Sequence, residues 1–193
     1  LPPSEGKSVP TRGRPLDLAG LALPELTDAR QQVLDALVDL CRDDADKAAE
    51  VLGLSKGQLD LVDRNADLPS APTARADRIY TGVLYDALDV ATLSAAAKRR
   101  ATSRVVVASS LFGMVRFGDR IPSYRLSGDA SLPTLGPVAA HWREALSPVL
   151  PALLGRGLLV DLRSGMYANF WRPGTELSPR VATVRVLHEH NGT

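Results

Sequence analysis

Cysteine occurs once, at Cys41, in a chain of 193 residues. A single thiol excludes an internal disulfide framework and a cysteine-rich zinc site. Aromatic residues make up only 5% of the chain, so a core has to be built mostly from Leu, Val and Ala. No apolar run approaches the roughly 20 residues that a membrane-spanning helix needs. The opening Leu1-Pro2-Pro3-Ser4 lacks the charged start and apolar stretch of a secretory signal. A cytoplasmic protein with no membrane partner is expected. Histidine is scarce too. His188 and His190 would share a strand face near the chain end, but no third ligand converges on them, so neither a metal nor a cofactor is expected.

Net charge is also nearly absent, at +1, which argues against a strongly basic nucleic-acid binder. The charges are unevenly placed, however. Up to Asp67 there are 8 basic and 13 acidic residues, and from Leu68 onward 15 basic and 9 acidic. An acidic front and a basic rear can present opposite faces, the basic one to phosphate. Hydrophobic residues at 45% and charged residues at 23% fit a globular protein with a real core.

The chain divides into a helical front, 25–67, and an α/β portion, 68–193, within one expected domain. Leu26, Ala29, Val33, Leu34, Leu37, Val38 and Cys41 have helical spacing, which predicts a helix over Glu25 to Arg42 with Thr27 or Asp28 as its cap and Cys41 in the core. Shorter helices are predicted over Asp44 to Leu52 and Gln58 to Arg64, around Gly53. The stretch Leu68-Pro69-Ser70-Ala71-Pro72 reads as a hinge. A short helix ending at Leu88 follows, then one from Thr92 that closes in Lys98-Arg99-Arg100. Val105 to Ala108 and Leu158 to Leu162 read as buried strands, Val181 to Leu187 as a third. Val138 to Leu154 reads as a helix that Pro148 and Pro151 should kink or split. Helices between buried strands predict an α/β fold with a central mixed sheet.

Both buried strands run into small polar residues followed by a helix-like segment, so Ser109, Ser110, Arg163 and Ser164 are expected to converge on a cleft beyond the strand ends. The stretch Gly113 to Leu126, with Arg116, Arg120, Tyr124 and Arg125, looks too polar and broken for core. Arg116 and Arg125 suit phosphate or carboxylate, unless Asp119 and Asp129 claim them. Phe170 and Trp171 are expected to pack, leaving Tyr167 as the better site candidate. Ser4-Glu5-Gly6-Lys7-Ser8 ends like a phosphate loop but lacks its first glycine, and neither the dinucleotide nor the nucleophile-elbow pattern occurs. Val51-Leu52-Gly53-Leu54-Ser55-Lys56-Gly57 resembles a helix-hairpin-helix turn, which offers backbone N–H groups to DNA phosphate. Nearby Asp43, Asp44 and Asp46 oppose that approach.

Several ordered segments together resemble the YaaA-like peroxide stress proteins. They are Pro2-Pro3-Ser4-Glu5-Gly6-Lys7, Tyr80-Thr81-Gly82, Ser110-Leu111-Phe112-Gly113-Met114-Val115-Arg116, Pro122-Ser123-Tyr124-Arg125-Leu126 and Val160-Asp161-Leu162-Arg163-Ser164-Gly165-Met166-Tyr167. The resemblance implies a bacterial cytoplasmic protein of the oxidative stress response, associated with lowered free intracellular iron. It also implies a DNA-binding α/β fold with a helix-hairpin-helix element near Gly53 and a cationic cleft lined by Lys7, Thr81, Arg116, Tyr124, Arg125, Ser164 and Tyr167. By comparison with the family the chain is expected to lack its terminal segments, some of them basic.

Two functions from different classes follow. The first is sequence-nonspecific binding of double-stranded DNA, with phosphate contacts from Arg116, Arg125, Arg163 and the Gly53–Lys56 turn. The second is an enzyme or small-anion or nucleotide binder whose cleft mixes Lys7, Thr81, Ser110, Arg116, Arg125, Ser164 and Tyr167, a more varied set than phosphate neutralisation requires. Asp161 beside Arg163 would there be a base or simply an ion pair. Direct iron sequestration fits poorly with so few His and Cys.

Overall fold

A computed structural model describes residues 1–184. The helical front comprises α1 (Thr27–Asp43), α2 (Ala45–Val51) and α3 (Asp60–Ala66). The apolar stripe of α1 buries Val33, Leu37, Val38 and Cys41, with α2 and α3 packed against it. Arg30 falls on the same stripe and is fully buried. It donates to the carbonyls of Phe112 (3.1 Å), Leu23 (3.2 Å), Ala22 (2.7 Å) and Met114 (2.8 Å), stitching the front to the rest of the molecule. Each such bond carries a full positive charge and is stronger than a neutral one.

Beyond the turn at Asp67–Ser70 come β1 (Ala74–Arg75), α4 (Ala76–Ile79), α5 (Val83–Leu88) and α6 (Ala95–Arg104). Next are β2 (Val106–Ser109), β3 (Gly113–Arg116), β4 (Arg120–Ile121), β5 (Ser131–Leu132) and β6 (Gly136–Pro137). The chain continues through α7 (Val138–Leu146), α8 (Val149–Leu154), β7 (Leu159–Asp161), α9 (Gly165–Ala168) and β8 (Val181–Thr183). Pro148 separates α7 from α8, as its missing N–H requires. His188 and His190 lie outside the described residues, as does the end of the predicted third strand.

The fold is α/β, but the described strands form four two-stranded pairs rather than one central sheet. Three pairs are antiparallel and β7–β8 is parallel. Leu1 extends the β2–β3 pair: its nitrogen donates to Val106 O at 2.7 Å, and its carbonyl accepts from Ala108 N at 2.9 Å. Two sequence expectations are corrected here. The strand over Val106–Ser109 turns straight back into β3 instead of entering a helix. The stretch Gly113 to Leu126 is largely core: Val115, Phe117 and Ile121 are fully buried, and Tyr124 and Leu126 nearly so. Its buried Asp119 is satisfied within the fold, Oδ2 accepting from Arg116 N at 2.9 Å and Oδ1 from Ala22 N at 3.1 Å.

Gly113 enables that tight reversal. Its φ of +69° is one that side chains rarely adopt, and a Cβ there would stand 2.6 Å from the Trp142 ring. Trp142 is itself fully buried, its indole N–H donating to Ser110 O at 2.7 Å.

Candidate functional site

The opening loop docks onto the chain that leaves α4. Lys7 forms a β-bridge with Tyr80, and Ser8 N donates to Ile79 O at 2.8 Å. Thr81 closes the joint twice, its N–H to Ser4 Oγ (3.0 Å) and its hydroxyl to Gly6 O (3.0 Å). Tyr85 adds a hydroxyl bond to Pro2 O at 2.6 Å. Two segments far apart in sequence therefore form one wall.

Lys7 points inward from that wall. Its Nζ lies 4.3 Å from the Tyr124 ring centroid and 5.9 Å from that of Tyr80. Among the described residues it donates to two neutral carbonyls, Ser4 O at 2.9 Å and Glu5 O at 3.4 Å. Burial, with Arg125 close by, pulls the ammonium down to about 7, and Glu5 offsets little of this. Beneath the amine, Tyr124 Oη meets Tyr80 Oη at 3.1 Å and Ser109 Oγ at 2.8 Å. Burial pushes both of these phenols well above their ordinary value.

Arg125 is aimed by the helical front. Asn65, fully buried on α3, donates Nδ2–H to Arg125 O at 2.7 Å and accepts from Arg125 N at 2.9 Å. The guanidinium is 23% exposed, and its nearest carboxylate, Glu5, is 4.0 Å away and 91% exposed. Its buried Nε has no partner among the described residues. Ser110 is buried with its hydroxyl donating to Leu126 O at 2.6 Å. Tyr167 packs on Gly128 and edge-on to Phe170, and burial raises its phenol. Lys7, Thr81, Ser110, Tyr124, Arg125 and Tyr167 thus gather in one half-buried centre.

The remaining predicted residues lie elsewhere. Arg163 forms a two-pronged pair with Asp161 (Nε–Oδ1 2.9 Å, Nη2–Oδ2 2.7 Å) and donates to Tyr167 O and Trp171 O. With its side chain only 7% exposed, it braces α9 and is not free for phosphate. Burial would raise the Asp161 carboxyl, but the Arg163 bonds outweigh it and hold the group below its ordinary value. Ser109 adjoins the centre but spends its hydroxyl on Tyr124 Oη and Phe112 N, and Ser164 is exposed at the start of α9 without a side-chain capping bond. The Gly53–Lys56 turn is exposed and shares no hydrogen bond or ion pair with the Lys7 centre among the described residues. Gly53, at φ +61°, ends α2 in a Schellman motif: its N–H bonds to Glu50 O and that of Leu54 to Ala49 O.

Arg116 belongs to a second site. It lines a groove of about 540 Å³ with Arg75, Lys98, Arg99, Thr102 and Asp119. This continues past Arg75, Lys98 and Thr102 into a cavity of about 690 Å³ that reaches Arg78, Tyr80 and Thr81, where Asp77, Asp86 and Asp89 balance the cations, so the excess positive charge lies at the Arg99–Arg116 end. The Nε of Arg116 is buried without a partner among the described residues. Helix α6 forms the rim. None of its residues is buried, and it carries Lys98, Arg99, Arg100 and Arg104 with no acid. From the sequence alone the Lys98-Arg99-Arg100 run reads only as a helix end. The signal that could have found it is that Ala95–Arg104 has no apolar side chain larger than alanine, so the helix can seat only small residues such as Ala101 against the core and leaves its cations exposed.

Fold and sites together define an α/β protein with an exposed cationic groove and a separate buried Lys–Arg–Tyr centre. A family model described as peroxide stress protein YaaA matches residues 1–193. The chain is 55% identical over 188 residues to a UPF0246 protein of Streptomyces coelicolor, covering 97% of this chain and 72% of that one. It is 42% identical to a UPF0246 protein of Corynebacterium efficiens (95% and 73% covered). It is 26% identical over 171 residues to an uncharacterized protein of Campylobacter jejuni (89% and 69% covered). The chain belongs to the YaaA peroxide stress protein family. Among the described residues no helix is long and apolar enough to cross a membrane.

Proposed function

We propose that this protein acts in the bacterial cytoplasm as a DNA-binding protein of the peroxide stress response, gripping duplex phosphates without reading bases. The observation that carries this is α6, a helix with no fully buried residue, four exposed cations and no acid, beside the Nε of Arg116, which has no partner among the described residues. Exposed, hydrated cations keep their full charge and exchange counterions with phosphate. The Schellman turn at Gly53, with Lys56, supplies a second phosphate contact of the helix-hairpin-helix kind. Shielding DNA in this way accords with the peroxide role of the family, and lowered free iron would accompany it. The proposal gives this chain no metal ligand.

Fluorescence anisotropy of a labelled duplex against salt tests the reading. Binding should weaken with a log–log slope of about −0.9 per phosphate neutralised. Replacing Lys98, Arg99 and Arg100 together with Gln should flatten that slope by roughly 2 to 3. No binding at low salt, or an unchanged slope in the triple variant, refutes it. A second reading, a small-anion site, is favoured by one specific observation: Lys7 and Arg125 adjoin, and among the described residues the carboxylate paired with them is a highly exposed Glu5, 4.0 Å from Arg125.

A further inference from the structure

We propose that the Lys7 amine is a nucleophile that captures the carbonyl carbon of a small oxo acid as an imine, with Arg125 holding the acid's carboxylate. The inference rests on the small-anion reading of the cleft and is independent of the α6 groove.

Its basis is an asymmetry between two neighbouring bases. Arg125 has a buried Nε with no partner among the described residues. Its ion pair among those residues is a 4.0 Å contact to an exposed Glu5. A planar carboxylate is the natural complement of such a group. Among the described residues Lys7 likewise forms no ion pair, and it sits over the Tyr124 ring with backbone carbonyls as its acceptors. Burial and the adjacent Arg125 pull its ammonium down to about 7, so near neutrality much of it is free amine. Desolvation beside a second cation is a recognised way to make lysine a carbonyl nucleophile. An anion anchor next to a free amine selects a ligand carrying both a carboxylate and a carbonyl.

In the step, the Nζ lone pair forms the C–N bond. The carbonyl oxygen takes up two protons, one from the amine and one from solvent. It leaves as water, and a protonated imine remains. No oxidant or reductant is needed.

The chain contains three other lysines, Lys47, Lys56 and Lys98, which serve as internal controls. Lys47 is paired with Glu50 at 2.8 Å, and Lys98 donates to Ala91 O at 2.8 Å. The folded protein is incubated with glyoxylate at pH 7.5, reduced with borohydride and mapped by peptide mass. Lys7 should carry the adduct at least about tenfold faster than any other lysine, given its larger free-amine fraction. Arg125→Gln, altering a partly exposed side chain, should raise the glyoxylate concentration for half-maximal labelling about tenfold or more while labelling of the other lysines stays unchanged. In a second arm, acetate, which has a carboxylate but no reactive carbonyl, should protect Lys7 from a general amine reagent. Protection by acetate with no glyoxylate adduct overturns imine capture but leaves the anion site standing. Neither protection nor adduct, or labelling that merely follows exposure, overturns both.

Discussion

Asn65 ties the helical front to Arg125, and its replacement is the sharpest probe of how the centre is held together. Both polar atoms of its buried amide are spent on the backbone of Arg125, at 2.7 and 2.9 Å. The side chain behaves there like a neighbouring strand. Asn65→Ala removes two bonds of about 1 kcal/mol each and strands a donor and an acceptor away from water, for a total of about 2–4 kcal/mol. That corresponds to roughly 5–15 °C in Tm for a chain of this size. Asn65→Asp is more informative. An ionised carboxylate still accepts from Arg125 N but confronts Arg125 O with a second oxygen. The cost at pH 8 should therefore be about 3–5 kcal/mol, as for an unpaired buried charge or lone acceptor. Burial raises the introduced carboxyl's folded pKa above its unfolded value, so this variant should recover as pH falls toward 5, when the protonated acid can donate to Arg125 O. Urea unfolding followed by circular dichroism, with the parent protein measured at each pH, gives both numbers. An Asn65→Ala cost under about 1 kcal/mol, or an Asn65→Asp cost that does not change between pH 5 and 8, would show that the amide is not what fixes Arg125.

Two glycines separate backbone strain from steric clash. Gly113→Ala should cost about 2–4 kcal/mol, since positive φ adds about 1 and overpacking against Trp142 adds 1–3. Gly136→Ala, also at positive φ but with nothing within 4 Å, should cost only about 1, so equal losses in urea unfolding would contradict the packing described around Trp142. Lys7 has a folded pKa of about 7 against an ordinary 10.5, so the unfolded chain holds its proton more tightly. Stability relative to Lys7→Met should rise between pH 7 and 10 by at most about 1.4 kcal/mol per pH unit, and parallel pH profiles would mean the amine is solvated after all.

Much of the local structure was legible because local structure follows from local pattern. The β-branched run at Val105–Val107 became β2, and the stripe from Leu26 to Cys41 became α1 within two residues at each end. Arg30 could have been read as buried too, since it stands four residues after Leu26 and three before Val33, on the stripe itself. Long-range partition was not legible. Arg116 and Arg125 are nine residues apart, and the sequence gives no reason to send one to the α6 groove and the other to Lys7. The β2–β3 reversal does so, because Arg116 ends β3 opposite Val106 while Arg125 lies in the following loop clamped by Asn65. The burial of Gly113–Leu126 was hidden for a related reason. Its polar residues suggested solvent, whereas Asp119 and Ser123 are buried within the fold.

The division of cations between the two sites also decides what each can do. A phosphate-gripping surface works by exchanging one set of weakly held ions for another, so its side chains have to remain hydrated and charged before the partner arrives. Helix α6 meets that condition because only small residues such as Ala101 turn toward the core while its four cations stand exposed. Lys7 does not: removing it from water beside Arg125 weakens the charge on which DNA binding would rely, and the Tyr124 ring returns only part of that loss. Counting Lys7 as one more phosphate contact would therefore overstate the groove. The same desolvation leaves the amine less protonated and more nucleophilic, so burial that makes Lys7 a poor DNA ligand makes it a better reagent toward a carbonyl.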